Sequence, residues 1–528
     1  MAYVPKRSPT PELVVGLVAP IGVDLDVVTD ALSELLQEVG YRAFLFRLTR
    51  LMVEVPTGLA LSEGPYVASY KSRIAYANAI CNRLGQDAMA ALAISAIRSA
   101  RVDLWKERTE QYLETLPEGV HPQETPIPSQ AYIIRQLKRP EEVRLLRSIY
   151  GRQFILVSAY TSQDTRLKRI EDQERRSQAG LISDVDAHNS AFELVSQDAR
   201  EAQDPSGQNV RDAFPLGDVF IDASSRGSCA ETLRRFVHLL FGSNEITPTH
   251  DEYGMYMAKS ASLRSSDLSR QVGAAIFLKS GEIATMGCNE VPKAGGGTYW
   301  PGDKGDKRDF IQGHDPNEAY KMSLLFDILD RLAKGSHLSE NLLTLGDAHK
   351  IGKKLLDDNG TNGVKESKIM DLLEFGRIIH AEMSAISDAA RKGVPIQDGT
   401  IYCTTFPCHL CAKHIVASGI KRLVYLEPYP KSYASALHGD SIDVDGNGNS
   451  GRVAFDPFIG VSPYRYRDLF EKGKRKSSGL ALLWNDGEKR PMIEVYYPSY
   501  FQAEVSVVGR LKEEIESLVQ EHSQDGNN

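Results

Sequence analysis

Residues 380–415 read HAEMSAISDAARKGVPIQDGTIYCTTFPCHLCAKHI and contain the pattern His-x-Glu followed by Pro-Cys-x-x-Cys. The apolar spacing after His380 predicts a helix, and the β-branched and aromatic run TIYCTTF predicts a strand. Pro407, directly before Cys408, is typical of the start of a second helix. Helix, strand and helix in this order predict an α/β domain, and the two short patterns supply it with metal-binding side chains.

His380, Cys408 and Cys411 can supply one imidazole and two thiolates to a metal ion. Three protein ligands with one open position are typical of a catalytic zinc site, whereas a structural site is usually closed by four ligands. The N-terminus of a helix also favours the thiolate form of cysteine. The spacing therefore predicts a Zn²⁺ site formed by these three residues.

Glu382 lies two residues after His380 and is not needed as a ligand. A carboxylate beside the open position can take a proton from zinc-bound water and pass it on, because zinc lowers the pKa of that water to about 7. The combination of H-x-E with P-C-x-x-C is the signature of zinc nucleobase deaminases. We therefore expect Glu382 to be the catalytic proton carrier.

Each half of the pattern has a simpler interpretation when it stands alone. Cys-x-x-Cys can be a redox pair or half of a structural zinc site, and His-x-Glu can be a surface pattern. The occurrence of both halves in this order, with a strand between them, favours the catalytic interpretation. His409 and His414 lie nearby but have no place in the pattern, and Cys403 in the predicted strand is expected to pack in the core.

The composition limits the classes of partner. The formal net charge of −8 argues against a broad basic face for duplex nucleic acid, although a local basic pocket for phosphates is compatible with it. Six cysteines in 528 residues are too few for a disulfide framework, which predicts a reducing, cytoplasmic environment. The start of the sequence has no pattern of a secretory signal, and no apolar run is long enough to span a bilayer.

The N-terminal part of the sequence has the alternation of an α/β domain. Residues 13–22, LVVGLVAPIG, predict a buried strand and a turn, and the amphipathic segment that follows predicts a helix ending at Gly40. The apolar segments 154–160 and 218–224 predict further strands of the same sheet. We expect one domain over residues 1–245.

The rest of the sequence predicts a second domain and a terminal extension. A hairpin is expected in VGAAIFLKSGEIATMGCNE, with its turn at Lys279-Ser280-Gly281. We place this domain at residues 250–470 and expect a helical insertion at about 303–375. Residues 471–528 are expected to form a C-terminal extension.

Gly16 and Gly22 flank the position at which a phosphate-binding loop would lie, after a strand and before a helix. The Gly-Lys-Ser/Thr expected of such a loop is replaced by Gly22-Val23-Asp24, so the lysine is missing. Asp24 would repel phosphate unless a cation intervened. A nucleotide-sensing role of these glycines and a purely structural role both remain open.

Residues 255–435 resemble the deoxycytidylate deaminase family within the cytidine deaminase superfamily. The matching segments are RSSDLSRQVGAAIFLKSGEIATMGCNEVP, HAEMSAI and TIYCTTFPCHLCAKHIVASGIKRLVYLEPY. The resemblance implies an α/β/α domain with a mixed sheet, the same three zinc ligands, and Glu382 as the proton shuttle. It also implies that Asn289 contacts the substrate sugar. The family turn G-x-N-G-x-P reads GCNEVP here, with Glu290 in place of the usual glycine.

The segment RPEEVRLLRSIYGRQFILVSAYTSQDTRLKRI resembles the part of nucleotide kinases that leads into a strand and a basic, lid-like helix. By this resemblance Arg166, Lys168 and Arg169 are expected to contact phosphate. The resemblance implies a P-loop NTPase-like three-layer domain at the N-terminus.

The whole layout resembles the bacterial anti-phage dCTP deaminases. This family implies conversion of dCTP to dUTP, and of dCMP to dUMP, with release of ammonia, which depletes dCTP during phage infection. It also implies a homo-oligomer and an N-terminal domain that acts as a regulator, for which a regulatory nucleotide or an inhibitor would be the partner.

Two other functions remain open. The protein could be a polynucleotide deaminase that acts on single-stranded DNA or RNA, but the acidic balance argues against a polymeric substrate. It could also be a non-enzymatic nucleotide-binding regulator that retains a zinc site, but the presence of Glu382 argues against this role.

Overall fold

The computed structural model of the chain divides into two compact units. Unit 1 comprises Met1–Glu252 together with Ile459–Asn528, and unit 2 comprises Tyr253–Phe458. The second domain expected from the sequence extended to residue 470, whereas unit 2 ends at Phe458 because the next residues pair with the sheet of unit 1. The structure describes residues 6–7, 10–112, 125–201, 207–357, 364–428, 432–444, 446, 451–484, 489–493, 496–497 and 500–525.

The strands of the described residues are mostly short and apolar. In chain order they are β1 (Lys6–Arg7), β2 (Leu13–Val18), β3 (Arg42–Arg47), β4 (Gln130–Leu137), β5 (Phe154–Tyr160), β6 (Val219–Asp222), β7 (Gly273–Phe277), β8 (Ile283–Cys288), β9 (Thr400–Thr405), β10 (Arg422–Glu427), β11 (Ile442–Val444), β12 (Val453–Pro457), β13 (Gly460–Val461), β14 (Lys476–Ser477), β15 (Leu480–Ala481) and β16 (Tyr496–Tyr497).

The helices range from single turns to long amphipathic segments, and none in the described ranges is both long and apolar enough to cross a membrane. In chain order they are α1 (Leu25–Glu38), α2 (Leu48–Leu51), α3 (Tyr66–Leu84), α4 (Ala88–Tyr112), α5 (Pro140–Tyr150), α6 (Gln163–Ser177), α7 (Asp184–Glu201), α8 (Val210–Ala213), α9 (Arg226–Leu240), α10 (His250–Ser262), α11 (Asp309–Gln312), α12 (Pro316–Lys334), α13 (Glu340–Leu343), α14 (Ala348–Asp357), α15 (Ala381–Lys392), α16 (His409–Ala417), α17 (Ala434–His438), α18 (Tyr466–Phe470) and α19 (Phe501–Asp525).

Unit 1 is built on a six-stranded sheet with the order β13-β6-β5-β2-β4-β3. Strands β6, β5, β2, β4 and β3 are parallel, and β13 runs antiparallel to β6. The residues of β2 are all buried, as expected of a parallel strand covered on both faces. Leu13, Val15 and Leu17 face the core that α1 and α9 cover, whereas Val14 and Val18 face the core that α4, α5 and α19 cover. Helices therefore cover both faces of the sheet in unit 1.

The C-terminal segment completes unit 1 instead of forming a separate extension. Tyr500, Phe501 and Leu511 of α19 lie in the same core as α4 and α5. Val461 of β13 pairs with Val219 of β6 at the edge of the sheet. Strand β13 and helix α19 therefore supply core residues to a unit whose other part is Met1–Glu252.

Unit 2 has a six-stranded mixed sheet with the order β11-β12-β10-β9-β7-β8. Strands β11, β12, β10 and β9 are parallel, and β7 runs antiparallel to both β9 and β8. Alanines of α15 pack with Ile276, Ile401 and Leu423 of the sheet, and Ala412 and Ile415 of α16 join the same core. Helices α15 and α16 therefore lie on one face of the sheet, beside each other. The mixed sheet of this domain is confirmed.

The predicted insertion at about 303–375 is largely helical in its described part and has a small core of its own. Leu325 and Leu329 of α12 pack with Ile351 of α14. Residues 358–363 of this segment lie outside the described residues.

Candidate active site

The three predicted metal ligands lie at the N-terminal ends of two neighbouring helices. His380 is the N-cap residue of α15, and Cys408 is the N-cap residue of α16, both with extended backbone angles. Cys411 lies in the first turn of α16, three residues further along. Both helices therefore direct the positive ends of their dipoles towards one point, which favours thiolate ligands there.

The side chains of these residues form a compact donor set. The Nδ1 atom of His380 lies 3.3 Å from the Sγ atom of Cys411 and 3.4 Å from that of Cys408. All three donor atoms lie within 4.8 Å of one another. A tetrahedral zinc ion, with Zn–N near 2.0 Å and Zn–S near 2.3 Å, separates its nitrogen and sulfur ligands by about 3.5 Å. The donor set therefore fits Zn²⁺, with one coordination position left for a water or substrate atom.

The protonation of the metal-free site follows from hydrogen bonds among its three donors. A hydrogen bond from Cys411, and a second with His380, lowers the pKa of the Cys408 thiol to about 4. The thiol proton of Cys411 is held in its hydrogen bond with Cys408, and this raises the pKa of Cys411 well above its usual value. The hydrogen bond with Cys408 raises the pKa of His380 to about 9. Near neutral pH the metal-free group therefore holds a thiolate, a thiol and an imidazolium.

We expect zinc binding to release about two protons between pH 5 and 6.5, one from His380 and one from Cys411, since metal ligands must be deprotonated. Protons are released and not taken up, because the raised pKa values keep both groups protonated in the metal-free protein throughout this range. The apparent zinc affinity should then rise by about 100-fold per pH unit. A pH indicator in weakly buffered solution measures the released protons, and the Glu382→Gln variant removes any contribution of the nearby carboxyl. Release of less than one proton would contradict this ligand set.

Glu382 lies in the first turn of α15 and its side chain is buried, with 4% of the residue exposed. Burial raises the pKa of this carboxyl, an effect that the neighbouring His380 opposes. The residue is not part of the donor set but lies beside it, close to Cys411. A carboxyl with a raised pKa at this place can accept and return a proton near neutral pH.

Cys403 has a contact that the sequence did not predict. It is fully buried in the core of unit 2, as expected, but its thiol also forms a hydrogen bond with the carboxyl of Glu382. Burial, followed by the charge of Glu382, raises the pKa of Cys403 well above its usual value. The thiol therefore remains protonated and orients the carboxyl. This contact forms because β9 lies against the first turn of α15 in the folded domain.

Strand β8 determines how closely α15 approaches the sheet. A Cβ atom at Gly287 would lie 2.3 Å from the carbonyl oxygen of Ala381 and 2.6 Å from the amide nitrogen of Ala385, so no larger residue fits. Thr285 donates a hydrogen bond of 2.9 Å to the carbonyl of Ala385. Since His380 and Glu382 lie at the start of this helix, these contacts fix their position relative to the sheet.

Asn289 uses its side-chain amide to hold the loop before β7. Its Oδ1 atom accepts from the amide of Val272 at 2.7 Å, and its Nδ2 atom donates to Asp267 at 2.6 Å and to the carbonyl of Arg270 at 2.7 Å. The side chain is buried, with 5% of the residue exposed. The contact between Asn289 and a substrate sugar stays a prediction.

Glu290, at the position where the family turn has glycine, is a buried anchor. Its carboxylate accepts from the amide and the hydroxyl of Ser266, at 3.0 and 2.7 Å, and from the amide of Val291 at 2.9 Å. Its backbone exchanges two hydrogen bonds with Ile379, the residue before His380. The glutamate therefore connects the loop at residue 266 to the segment that carries the first zinc ligand.

The structure does not place Gly16 in a phosphate-binding turn. Gly16 lies within β2, where its backbone pairs with Ile134 and Leu156 on the two neighbouring strands. A Cβ atom there would lie 2.6 Å from Leu137, so the glycine allows tight packing. Gly22 does lie in the turn, with a φ of +91°.

Asp24 occupies the N-terminus of α1, the place at which a phosphate would be bound. Its Oδ1 atom accepts from the amides of Asp26 and Val27, at 3.1 and 3.3 Å. The amides that a phosphate would use are therefore capped by a carboxylate of the protein. The contribution of Gly16 and Gly22 to nucleotide binding stays a prediction.

Comparison with known proteins identifies the domain around the zinc ligands. Residues 248–427 match the sequence model of the family described as "Cytidine and deoxycytidylate deaminase zinc-binding region". The deoxycytidylate deaminase of Enterobacteria phage T2 is 56% identical over 54 residues, which are 10% of this chain and 29% of that protein. "ComE operon protein 2" of Bacillus subtilis (strain 168) is 47% identical over 53 residues, 10% of this chain and 28% of that protein. The chain thus spans less than a third of the length of these relatives.

Among solved structures, the chain matches the dCMP deaminase of the cyanophage S-TIM5 in complex with dCMP and dUMP. The sequence identity is 16%, the match covers 40% of this chain and 98% of that one, and the TM-score is 0.21. The match to the family over residues 248–427 indicates a zinc-type cytidine and deoxycytidylate deaminase domain, and His380, Cys408 and Cys411 form a group within it that could hold Zn²⁺.

Proposed function

We propose that the protein is a hydrolytic deaminase of deoxycytidine nucleotides, converting dCTP to dUTP and dCMP to dUMP with release of ammonia. The observation that carries the proposal is the buried carboxyl of Glu382 beside a three-donor zinc site at two helix N-termini. The family match and two relatives named deoxycytidylate deaminase support a nucleotide as the substrate.

Zn²⁺ bound to these ligands would lower the pKa of a water to about 7. It would thereby supply a nucleophile near neutral pH. Glu382 accepts the proton that this water gives up as its oxygen bonds to C4 of the cytosine ring. The same carboxyl passes this proton to N3, then takes the second proton from the hydroxyl now bonded to C4 and transfers it to the amino group at C4. The C4–N bond breaks, ammonia leaves, and the ring is left as uracil, so the net reaction consumes one water.

The surroundings of Glu382 suit repeated proton transfer. Burial keeps bulk water away from the carboxyl and raises its pKa above the usual value. The thiol of Cys403 holds the carboxyl in one orientation, and the packing of α15 on Gly287 fixes its distance from the sheet. The chain therefore positions its proton carrier by contacts that do not depend on the substrate.

The proposal includes a role in defence against phage, in which a fall in dCTP starves phage DNA synthesis. Its support is the resemblance of the whole layout to the anti-phage dCTP deaminases. By the same resemblance we propose that the protein acts in the cytoplasm as a homo-oligomer. The alternative, a polynucleotide deaminase, is disfavoured by the net charge of −8, because polymer binding rewards many cationic contacts.

The test incubates the zinc-loaded protein with dCMP, dCTP, CTP and a cytosine-containing single strand, and measures ammonia and product mass. The matched control is the same protein after removal of zinc by a chelator, followed by zinc restoration. We expect conversion of dCTP and dCMP that disappears with the metal and returns with it. Conversion of the single strand alone would replace the proposed substrate class, and conversion of dCMP without dCTP would refute the triphosphate assignment.

A further inference from the structure

A groove of about 460 Å³ lies in unit 1, between the edge strand β3 and the long helix α4. Its floor is apolar and includes Phe44 and Phe46 of β3 and Leu92 and Leu104 of α4. Phe44 is 38% exposed, although it is one of the largest apolar side chains of its strand. An exposed apolar surface at the edge of a sheet marks a place at which another chain can bind.

Three carboxylates surround this apolar floor. Glu54 follows α2, Asp103 and Glu107 lie on α4, and all three residues are exposed. Among the described residues, no lysine or arginine lines the groove. Asp103 and Glu107 form exposed ion pairs with Lys106 and Arg42, at 3.5 and 3.6 Å, and such surface pairs are weak. The surface, which we call the acidic groove, therefore presents a negative rim to the cationic side chains of a partner.

A second surface of unit 1 is a hairpin that follows α18, which we call the basic hairpin. It comprises residues 472–483 and contains the two-residue strands β14 and β15, in which Lys476 pairs with Ala481. Residues 473–481 are all exposed, so neither face of the hairpin packs on the rest of the unit. A two-stranded hairpin alone is only marginally stable in water, so a partner that covers one face would stabilise it.

Positive charge is concentrated at the start of the basic hairpin. Its cations are Lys472, Lys474, Arg475 and Lys476, and none of them forms an ion pair with any residue that the structure describes. The Nζ atom of Lys472 is buried and has no hydrogen-bond partner among those residues. Burial, followed by the charges of Arg475 and Arg235, lowers the pKa of Lys472 to about 8. In a chain whose net charge is −8, this local surplus of cations favours an acidic partner.

The basic hairpin and the acidic groove complement each other in charge and in polarity. Beside its cations the hairpin carries Leu480 and Leu483, which are 75% and 55% exposed. The groove offers an apolar floor to such leucines and carboxylates to the cations next to them. Facing patches of opposite charge promote association and fix the orientation of the partners, and burial of apolar surface stabilises the contact.

The two surfaces lie at opposite edges of the same sheet. The hairpin follows α18, whose Phe470 packs against Arg235 of α9, and Trp484 at its other end donates to the carbonyl of Phe241 at 2.9 Å. Helix α9 follows β6, next to the edge strand β13, whereas the groove lies at β3. Four strands separate β13 from β3, a distance of about 24 Å, since neighbouring strands are about 4.8 Å apart. No residue of the hairpin lines the groove of its own chain.

We propose that the basic hairpin of one copy of this chain docks in the acidic groove of a second copy. Its cations then lie on Glu54, Asp103 and Glu107, and its leucines lie on Phe44. The contact joins two different surfaces, so it is head-to-tail, and it closes into a ring of copies when its rotation permits. Both surfaces belong to unit 1, so the proposal does not rest on the proposed deamination.

The test measures the mass of the full-length, zinc-loaded protein by sedimentation velocity, as a function of protein and salt concentration. The hairpin variant carries Lys474→Glu and Arg475→Glu, and the groove variant carries Glu54→Lys and Asp103→Lys. We expect the wild type to assemble and to dissociate as salt is added, and each variant to associate at least about tenfold more weakly. Because all four residues are exposed, the unfolding curves of both variants should match that of the wild type.

Two further preparations identify the contact itself. The protein with all four substitutions exchanges the signs of both surfaces, so it should regain assembly. An equimolar mixture of the two variants should also associate, because the intact groove of the hairpin variant meets the intact hairpin of the groove variant. The matched control carries Lys168→Glu and Lys512→Glu, which are exposed lysines elsewhere in unit 1, and it should assemble as the wild type does.

Several outcomes would overturn the proposal. They are a wild type that is monomeric at every concentration, variants whose masses equal that of the wild type, and a fourfold variant that does not regain assembly. Loss of the wild-type assembly after nuclease treatment would assign the hairpin to a nucleic acid instead of a second copy. Failure of the deamination test leaves this test intact, because the masses are measured without turnover.

Discussion

Glu382→Gln is expected to lower the turnover of dCTP and dCMP by about 10²–10⁴-fold, the range that a positioned general acid and base contributes. Glutamine has the size of glutamate and fits the same buried space, but its amide cannot carry a proton between water and the cytosine ring. Since Glu382 lies outside the donor set of His380, Cys408 and Cys411, the variant should keep its zinc.

Three measurements on the same preparation separate this role from a structural one. They are the turnover number, the zinc content by elemental analysis and the thermal unfolding curve. The control is Glu374→Gln, an exposed glutamate of the same unit, which should change none of them. Cys408→Ala should lose both zinc and activity. Turnover of a zinc-loaded Glu382→Gln protein within a few-fold of the wild type would show that another group moves the proton.

The zinc site was predictable because its information is local. His380, Glu382, Cys408 and Cys411 lie within one stretch of 380–411, and each is placed by the first turn of a helix. A helix start is encoded by neighbouring residues, such as the proline before Cys408. Two such starts on adjacent helices were enough to bring the donors together.

The supporting contacts of the site could not be predicted, since they depend on the pairing of distant strands. Cys403 meets Glu382 only because β9 lies under α15, and Gly287 meets Ala381 because β8 lies at the edge of the same sheet. Glu290 was recognised as a departure from the family turn, but its bonds to Ser266 and Ile379 required the fold.

The position of Gly16 in unit 1 depends on packing between strands, which the sequence does not show. Gly16 was expected to flank a phosphate-binding loop; it lies within β2, which continues to Val18, and a glycine in a strand often marks close packing. Of the three cations expected to contact phosphate, Arg166 donates to the carbonyl of Ile21, Arg169 donates to the carbonyl of Ser224, and Lys168 is exposed. Adjacent positions of a helix face different directions, which a basic run in the sequence does not show.

The sequence also did not predict that the C-terminal segment packs in unit 1. In unit 1, Glu504 of α19 contacts Arg101 of α4, although the two residues are about 400 positions apart in the sequence. No local sequence pattern predicts such a pairing. From the sequence, residues 471–528 were expected to form a C-terminal extension. The buried ion cluster at this contact shows instead that α19 is part of the core.

Glu504→Ala is expected to destabilise unit 1 by about 3–5 kcal/mol, the range for removing one partner of a buried ion cluster. Glu504 accepts from both terminal nitrogens of Arg101, at 2.9 and 3.0 Å, and from the hydroxyl of Tyr150 at 2.9 Å. The side chains of Arg101 and Glu504 are completely buried. On the other side of the guanidinium, Glu12 supplies the second carboxylate of the cluster, at 3.0 Å.

The size of the expected effect follows from charge balance. Two carboxylates, of Glu12 and Glu504, neutralise Arg101 and the mostly buried Arg98. Removal of Glu504 leaves two cations with one carboxylate in a buried site, and it leaves the hydroxyl of Tyr150 without this acceptor. A buried charge without a partner is far less stable than the same group in water. The variant should therefore have a lower free energy of unfolding.

Thermal and denaturant unfolding of the full-length protein measure the effect. We expect the transition of unit 1 to fall by roughly 10 °C, with the slope against denaturant unchanged. The matched control is Glu513→Ala, an exposed glutamate on the same helix, which should shift the transition by less than about 1 °C. Zinc content should stay at the wild-type value in both variants, since the ligands lie in unit 2. A shift no larger than that of the control would mean that α19 contributes little to unit 1, and the buried cluster would then have to be stable without one of its two carboxylates.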